Sequence, residues 1–130
     1  MYTIKKLVLA GAAATALLTM GASSYAQNQG PAMMNGGVLV ARGGMTLYTF
    51  DKDAANSGKS VCNGPCAGLW PPLMATAADQ ASGDYSIITR DDGSRQWAYK
   101  GKPLYMYKSD QKAGDRSGDK FKDVWHVITE

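Results

Sequence analysis

A seven-residue pattern that occurs twice constrains this chain more than any other feature. Leu47 to Asp53 reads LYTFDKD and Leu104 to Asp110 reads LYMYKSD, both Leu-Tyr-x-aromatic-x-x-Asp, fifty-seven residues apart. Gly44 and Gly101 precede them at the same distance. Overlaying VLVARGGMTLYTFDKD (from Val38) on RQWAYKGKPLYMYKSD (from Arg95) also brings Ala41 onto Ala98. With a two-residue slip, Leu69-Trp70 meets Val124-Trp125. A unit of about fifty residues buries its apolar face poorly alone, so two copies are expected to pack against each other.

The ends bound the compartment. Lys5 and Lys6 make a positive start, Leu7 to Leu18 is apolar apart from Thr15, and Ser24-Tyr25-Ala26 offers small residues before a cleavage point. Residues 1–26 therefore read as a secretory signal peptide cut after Ala26. A twelve-residue apolar run is too short for a hydrocarbon core of ~30 Å, and no later segment approaches that length. No cysteine stands near the cleavage point to carry a lipid. The expectation is a periplasmic or secreted protein of roughly 100 residues, one modest domain. Loss of Lys5 and Lys6 takes the formal charge from +3 to +1. No basic run remains, which argues against nucleic acid or an anionic membrane surface as partner.

Along the remaining chain, residues 27–37 (QNQGPAMMNGG) are polar, Gly-rich and aperiodic, and read as a flexible N-terminal segment. Val38 to Arg42 reads as a strand, Gly43-Gly44 as a hairpin turn and Met45 to Phe50 as the return. Cys62 to Leu69 has room for one or two helical turns with Pro65 near the start, and Pro71-Pro72 forbids their continuation. Tyr85 to Arg90 and Ser94 to Tyr99 flank Asp92-Gly93, a type I′ turn signal. Lys100-Gly101 turns the chain into Pro103 to Tyr107, and Phe121 to Ile128 closes as a strand. The fold class is mostly β. It is a small antiparallel domain over 38–130 of two tandem hairpin-containing repeats, about 38–73 and 95–128, joined by 74–94, with one short helical segment near the cysteines.

Cys62 and Cys66 are the only cysteines. In an exported chain a pair four apart is most simply a disulfide. Metal binding and thiol exchange are the alternatives. A thioredoxin-like site wants Cys-x-x-Cys, whereas three residues intervene here. Structural zinc wants four ligands, and Cys62, Cys66 and the single His126 fall short. Copper fits better, because thiolates and thioethers suit Cu(I) and Met33-Met34 stand together. The weak metal candidates are thus Cys62, Cys66 and His126.

Tyr48-x-Phe50-x-x-Asp53 and Tyr105-x-Tyr107-x-x-Asp110 resemble the Y-x-[FWY]-x-x-D motif of the secreted-repeat lipoproteins of bacteria, and CNGPCAGLWPPL (Cys62 to Leu73) is similar to that family's Cys-containing WPPL element. The resemblance covers Val38 to Ile128. It implies a secreted repeat without an assigned activity. This chain lacks the lipobox cysteine of a lipid-anchored form.

The motif residues have structural and functional readings. Tyr48 and Phe50, like Tyr105 and Tyr107, project to one face of a strand, with Leu47 and Leu104 on the other. They form either a packed aromatic layer or an exposed platform for a sugar or other flat ligand. Asp53 and Asp110 either accept backbone N–H bonds two or three residues on or ligate calcium with Asp51 and Asn56, or with Asp115 and Asp119, although neither loop has the EF-hand spacing. Trp70 and Trp125 complete the repeats. Neither a nucleophile elbow nor a phosphate loop is present. The expected function is a non-enzymatic binding or interaction module of the cell envelope, with no cofactor and an unknown envelope or small-molecule ligand. The alternative is a periplasmic copper-binding or electron-transfer-associated protein using Cys62 and Cys66, and a thiol–disulfide enzyme ranks last.

Overall fold

The computed structural model describes residues 30–129, so the segment read as a signal peptide lies outside the described residues. Among the described residues strands dominate, all paired antiparallel, and the one α-helix there is short. The elements run β1 (Ala32–Asn35), β2 (Val38–Ala41), β3 (Tyr48–Phe50), α1 (Pro65–Leu69), β4 (Met74–Ala75), β5 (Tyr85–Thr89), β6 (Arg95–Tyr99), β7 (Lys102–Pro103), a 3-10 turn (Phe121–Asp123) and β8 (Trp125–Val127). The helix begins at Pro65, where a missing N–H is harmless, and Pro71-Pro72 prevents its extension.

Two turns differ from the sequence reading. Ala32–Asn35, in the segment expected to be flexible, pairs with β2 across Gly36-Gly37, whose φ values of 63° and 88° suit a two-residue type I′ loop. The chain thus carries two Gly-Gly turns. The second, at Gly43-Gly44, also forms, since the Ala41 N–H donates to the Met45 carbonyl (2.8 Å) and the Leu47 N–H to the Leu39 carbonyl (3.0 Å). Asp92-Gly93 is not a type I′ pair, because of the two only Gly93 has positive φ. The Gly93 N–H closes on the Arg90 carbonyl (2.9 Å), a three-residue turn ending in a left-handed glycine. The true type I′ loop of the second repeat is Lys100-Gly101, at φ 50° and 86°. The closing strand is also shorter than expected, because Phe121–Asp123 turns before β8.

The aromatic strands do not stay with their own repeats. β3 pairs with β8, matching Thr49 to His126 and Phe50 to Trp125. Reciprocally, Tyr105 bridges to Pro72, and the Met106 and Lys108 N–H groups donate to the carbonyls of Pro71 (2.7 Å) and Leu69 (2.9 Å). Each repeat's aromatic segment therefore lies on the other repeat's Trp segment, although in the second repeat regular strand ends at Pro103 and Tyr105 pairs through isolated bridges. Tyr48 and Tyr105 meet at the centre, exchanging both backbone hydrogen bonds at 2.8 and 3.0 Å. An approximate twofold axis runs between them.

Strand alternation sorts the side chains into two layers. Tyr48, Phe50, Cys62, Trp70, Tyr105 and Trp125 form an aromatic cluster, while Leu39, Ala41, Leu47, Trp97 and Leu104 form the second. In the first, Phe50, Trp125, Trp70 and Tyr107 stack in that order, with centroids 4.2, 3.8 and 4.1 Å apart. Consecutive rings come from alternate repeats. Tyr48 meets Trp70 edge-on at 5.2 Å and Tyr105 meets Trp125 the same way at 5.1 Å. Such pairs contribute ~0.5–1.5 kcal/mol each beyond the area they bury.

Candidate functional site

The motif aspartates complete the exchange. Tyr48 Oη donates to Asp110 Oδ2 at 2.6 Å, and Tyr105 Oη donates to Asp53 Oδ2 at 2.5 Å. Each repeat's tyrosine thus serves the other repeat's aspartate. The second oxygens fix loops: Asp53 Oδ1 accepts the Val61 N–H (2.7 Å) and Asp110 Oδ1 the Ser117 N–H (3.0 Å), together with the Ser117 hydroxyl. These donors stand eight and seven residues on, not the two or three expected, because a buried carboxylate must gather donors from a whole loop rather than one turn. Burial, reinforced by the carboxylate each phenol bonds, holds both tyrosines far above the ordinary phenol range. Tyr48, Phe50, Asp53, Tyr105 and Asp110 are buried and Tyr107 packs partly buried on the aromatic cluster, so these rings form a packed layer and not an open platform.

Gly44 and Gly101 share the same logic. An added Cβ at Gly44 would meet Ala113 Cβ at 2.8 Å, and one at Gly101 would meet the Asn56 side chain at 2.2 Å. Each glycine lies against the loop that follows the other repeat's aspartate.

Cys62 and Cys66 form a disulfide, with Cα atoms 5.2 Å apart. Cys62 is buried in the aromatic cluster. The pair closes the loop before α1, which sequence reasoning placed correctly. Arg90, which it overlooked, holds that loop from beneath: its guanidinium donates to the Cys62 carbonyl (2.7 Å), Asn63 Oδ1 (3.2 Å), Ser60 Oγ (3.1 Å) and Gln96 Oε1 (2.7 Å). Ser60 Oγ in turn lies 2.5 Å from Tyr105 Oη, so Arg90 and Asp53 face one another through a hydroxyl pair. Arginine at a strand end carries no signal of burial in a sequence.

The remaining candidates disperse. His126 stands on the outer side of β8, half-exposed, with Nε2 2.9 Å from Asp51 Oδ2. Met33 is exposed while its neighbour Met34 packs on the second cluster, as alternation along β1 requires. Asp115 caps the Gln111 and Lys112 N–H groups, and Asp119 accepts the Val127 N–H. Among the described residues, no three His, Cys, Asp or Glu side chains converge. With both sulfurs bonded to each other, neither thiolate is available to copper in this state.

Among the described residues, one opening to solvent is a cleft of about 1010 Å³ on the second layer. One face of the β5–β6 hairpin supplies Tyr85, Trp97 and Tyr99, which register places together through Tyr85↔Tyr99 and Ile87↔Trp97. Tyr85 meets Tyr99 at 5.1 Å and Trp97 at 6.4 Å. Residues 78–84 form the facing wall, and Pro31, Arg42 and Met74 line the rest. Burial, and then the neighbouring Tyr99 and Asp84, push the Tyr85 phenol up. The sequence marks Tyr85, Trp97 and Tyr99 as strand residues, but only the fold brings them beside the connection.

A duplicated antiparallel domain whose halves exchange their aromatic strands defines the class. Residues 33–74 and 86–129 each match the family described as a secreted repeat of unknown function, and the chain belongs to that secreted-repeat lipoprotein family. The two matches fall on the two repeats and leave residues 75–85, most of the cleft's outer wall, between them. No curated protein and no solved structure matches the chain. None of the helices among the described residues is long and apolar enough to cross a membrane.

Proposed function

We propose that the chain is an exported, non-catalytic binding module of the cell envelope that takes its ligand in the cleft between the inter-repeat connection and the β5–β6 face. The carrying observation is that the motif residues are consumed in the core, whereas Tyr85, Trp97 and Tyr99 line an open cleft. Its volume is at the upper end of the ~300–1,000 Å³ usual for small-molecule sites. Export with removal of residues 1–26 places the module in the periplasm or outside the cell, consistent with a secreted family. The binding reading is tested by hydrogen–deuterium exchange of the mature protein, with and without a soluble envelope extract. Slowed exchange over 78–85 and 95–99 is the expected result. Protection confined to the β3–β8 face around His126, or none at all, would remove the cleft from consideration.

A further inference from the structure

The cleft's chemistry narrows the ligand class, an inference that rests on the cleft reading above. Its charged lining residues are Arg42, Asp79 and Asp84, a formal −1 that the Lys100 ammonium, 5.3 Å from the Tyr99 ring centroid, offsets. A strongly anionic or cationic ligand would find little net field there. Its floor is aromatic, and three of its groups have a polar tip: the Tyr85 and Tyr99 phenols and the Trp97 indole N–H. Among the described residues these tips have no hydrogen-bond partner, and Thr46 Oγ1 is the one buried side-chain polar atom left unpaired, so the three tips reach solvent. The Asp84 carboxylate likewise makes neither hydrogen bond nor ion pair among those residues. Two phenols, an indole N–H, the Gln80 amide, the Ser82 hydroxyl and a carboxylate thus offer donors and acceptors in similar number beside apolar ring surface.

A flat aliphatic ligand would leave these tips unpaired and desolvated, and a compact ion would leave the rings uncovered. The ligand that uses both is a ring with C–H faces and a rim of hydroxyls able to donate and accept. We infer that the cleft binds a neutral saccharide, laid on Tyr85, with Asp84, Trp97 and the Tyr99 phenol reading its hydroxyls. The cleft is larger than one sugar ring requires, so an oligosaccharide fits it better than a monosaccharide. The wall at 78–84 lies outside both matched repeats, so linkage preference resides in the connection and not in the shared fold.

The test is an amide-resolved NMR titration of the mature protein with cellotriose and chitotriose, and separately with tetramethylammonium chloride and inorganic phosphate. The expected result is saturable shifts over 78–85 and 95–99 with one trisaccharide and none with either ion. Asp84→Asn and Tyr99→Phe should each weaken that affinity about 5- to 10-fold, equal to ~1–1.4 kcal/mol. Both keep the fold, which an unchanged near-ultraviolet signal from the Trp70–Trp125 stack verifies. Retention of the protein on insoluble cellulose or chitin would identify a polymer as the source of the sugar, and binding of the soluble trisaccharide alone a free oligosaccharide. Cleft shifts with tetramethylammonium or phosphate and not with sugar would overturn the saccharide class while leaving the cleft as the site. Sugar-induced shifts elsewhere, or no cleft response to any probe, would overturn both.

Discussion

If the two repeats are held by exchanged tyrosine–aspartate pairs, coupling energies should follow the exchange and not the chain. Tyr105 bonds Asp53 at 2.5 Å, and Tyr48 bonds Asp110 at 2.6 Å. All four side chains are buried, between 0% and 6% exposed. A buried hydrogen bond to a charged group contributes ~1.5–3 kcal/mol. Tyr105→Phe leaves Asp53 with the Val61 N–H, and Tyr48→Phe leaves Asp110 with the Ser117 donors, so neither carboxylate is stripped bare. Each phenylalanine variant should therefore lose about 2–3 kcal/mol. In a domain of this size that lowers Tm by ~10–20 °C. Double-mutant cycles by urea denaturation, using Asp53→Asn and Asp110→Asn, make the comparison specific. Tyr105 with Asp53, and Tyr48 with Asp110, should couple by about 1.5–3 kcal/mol, whereas Tyr105 with Asp110, and Tyr48 with Asp53, should be additive within ~0.5 kcal/mol. Within-repeat coupling as large as the exchanged coupling would refute the interleaved architecture.

Three further outcomes follow from the same contacts. Gly118→Ala drives a Cβ to 2.6 Å from Trp70 and 2.9 Å from Tyr107, and should destabilise by ~1–3 kcal/mol through overpacking, read as a lowered urea midpoint with unchanged slope. Tyr48 and Tyr105 hold their protons more tightly folded than unfolded. Their contribution is therefore intact below the unfolded phenol pKa of ~10 and lost as pH rises beyond it. Stability should fall steeply above that pH, and the double Tyr→Phe variant should show a shallower fall. Replacing Cys62 and Cys66 by alanine together opens a loop of sequence separation 4 and should cost about 2 kcal/mol on the chain-entropy account. The same variant should leave bound-metal content unchanged by inductively coupled plasma mass spectrometry, and a loss of copper would revive the metal reading.

The repeat, its strands and its disulfide were legible because each leaves a local mark: alternating aromatics, Gly-Gly turns, paired cysteines in an exported chain. The partner of each strand was not. A duplicated motif is equally compatible with Tyr48 bonding Asp53 or Asp110, and nothing local separates the two. Gly36-Gly37 and Gly43-Gly44 present the same turn signal, and nothing local in the polar, Gly-rich stretch 27–37 marks Ala32–Asn35 as a strand. Arg90 was invisible because its burial depends on Ser60, Cys62 and Gln96 arriving around it. The cleft was invisible for a related reason, since its wall is a polar Ala-, Ser- and Asp-rich connection that reads as a plain linker.

Exchange about an approximate twofold carries an ancestral implication. A chain of one such repeat, meeting a second copy of itself, could form the same strand pairs, tyrosine–aspartate bonds and ring stack as an isologous dimer. Joining two copies end to end turns that encounter into an intramolecular one, at an effective concentration of ~mM. Once joined, the halves no longer need to be identical. Cys62 and Cys66 stand in one half alone, and the tether at 75–85 is surface on which a specificity can be written without disturbing the shared core.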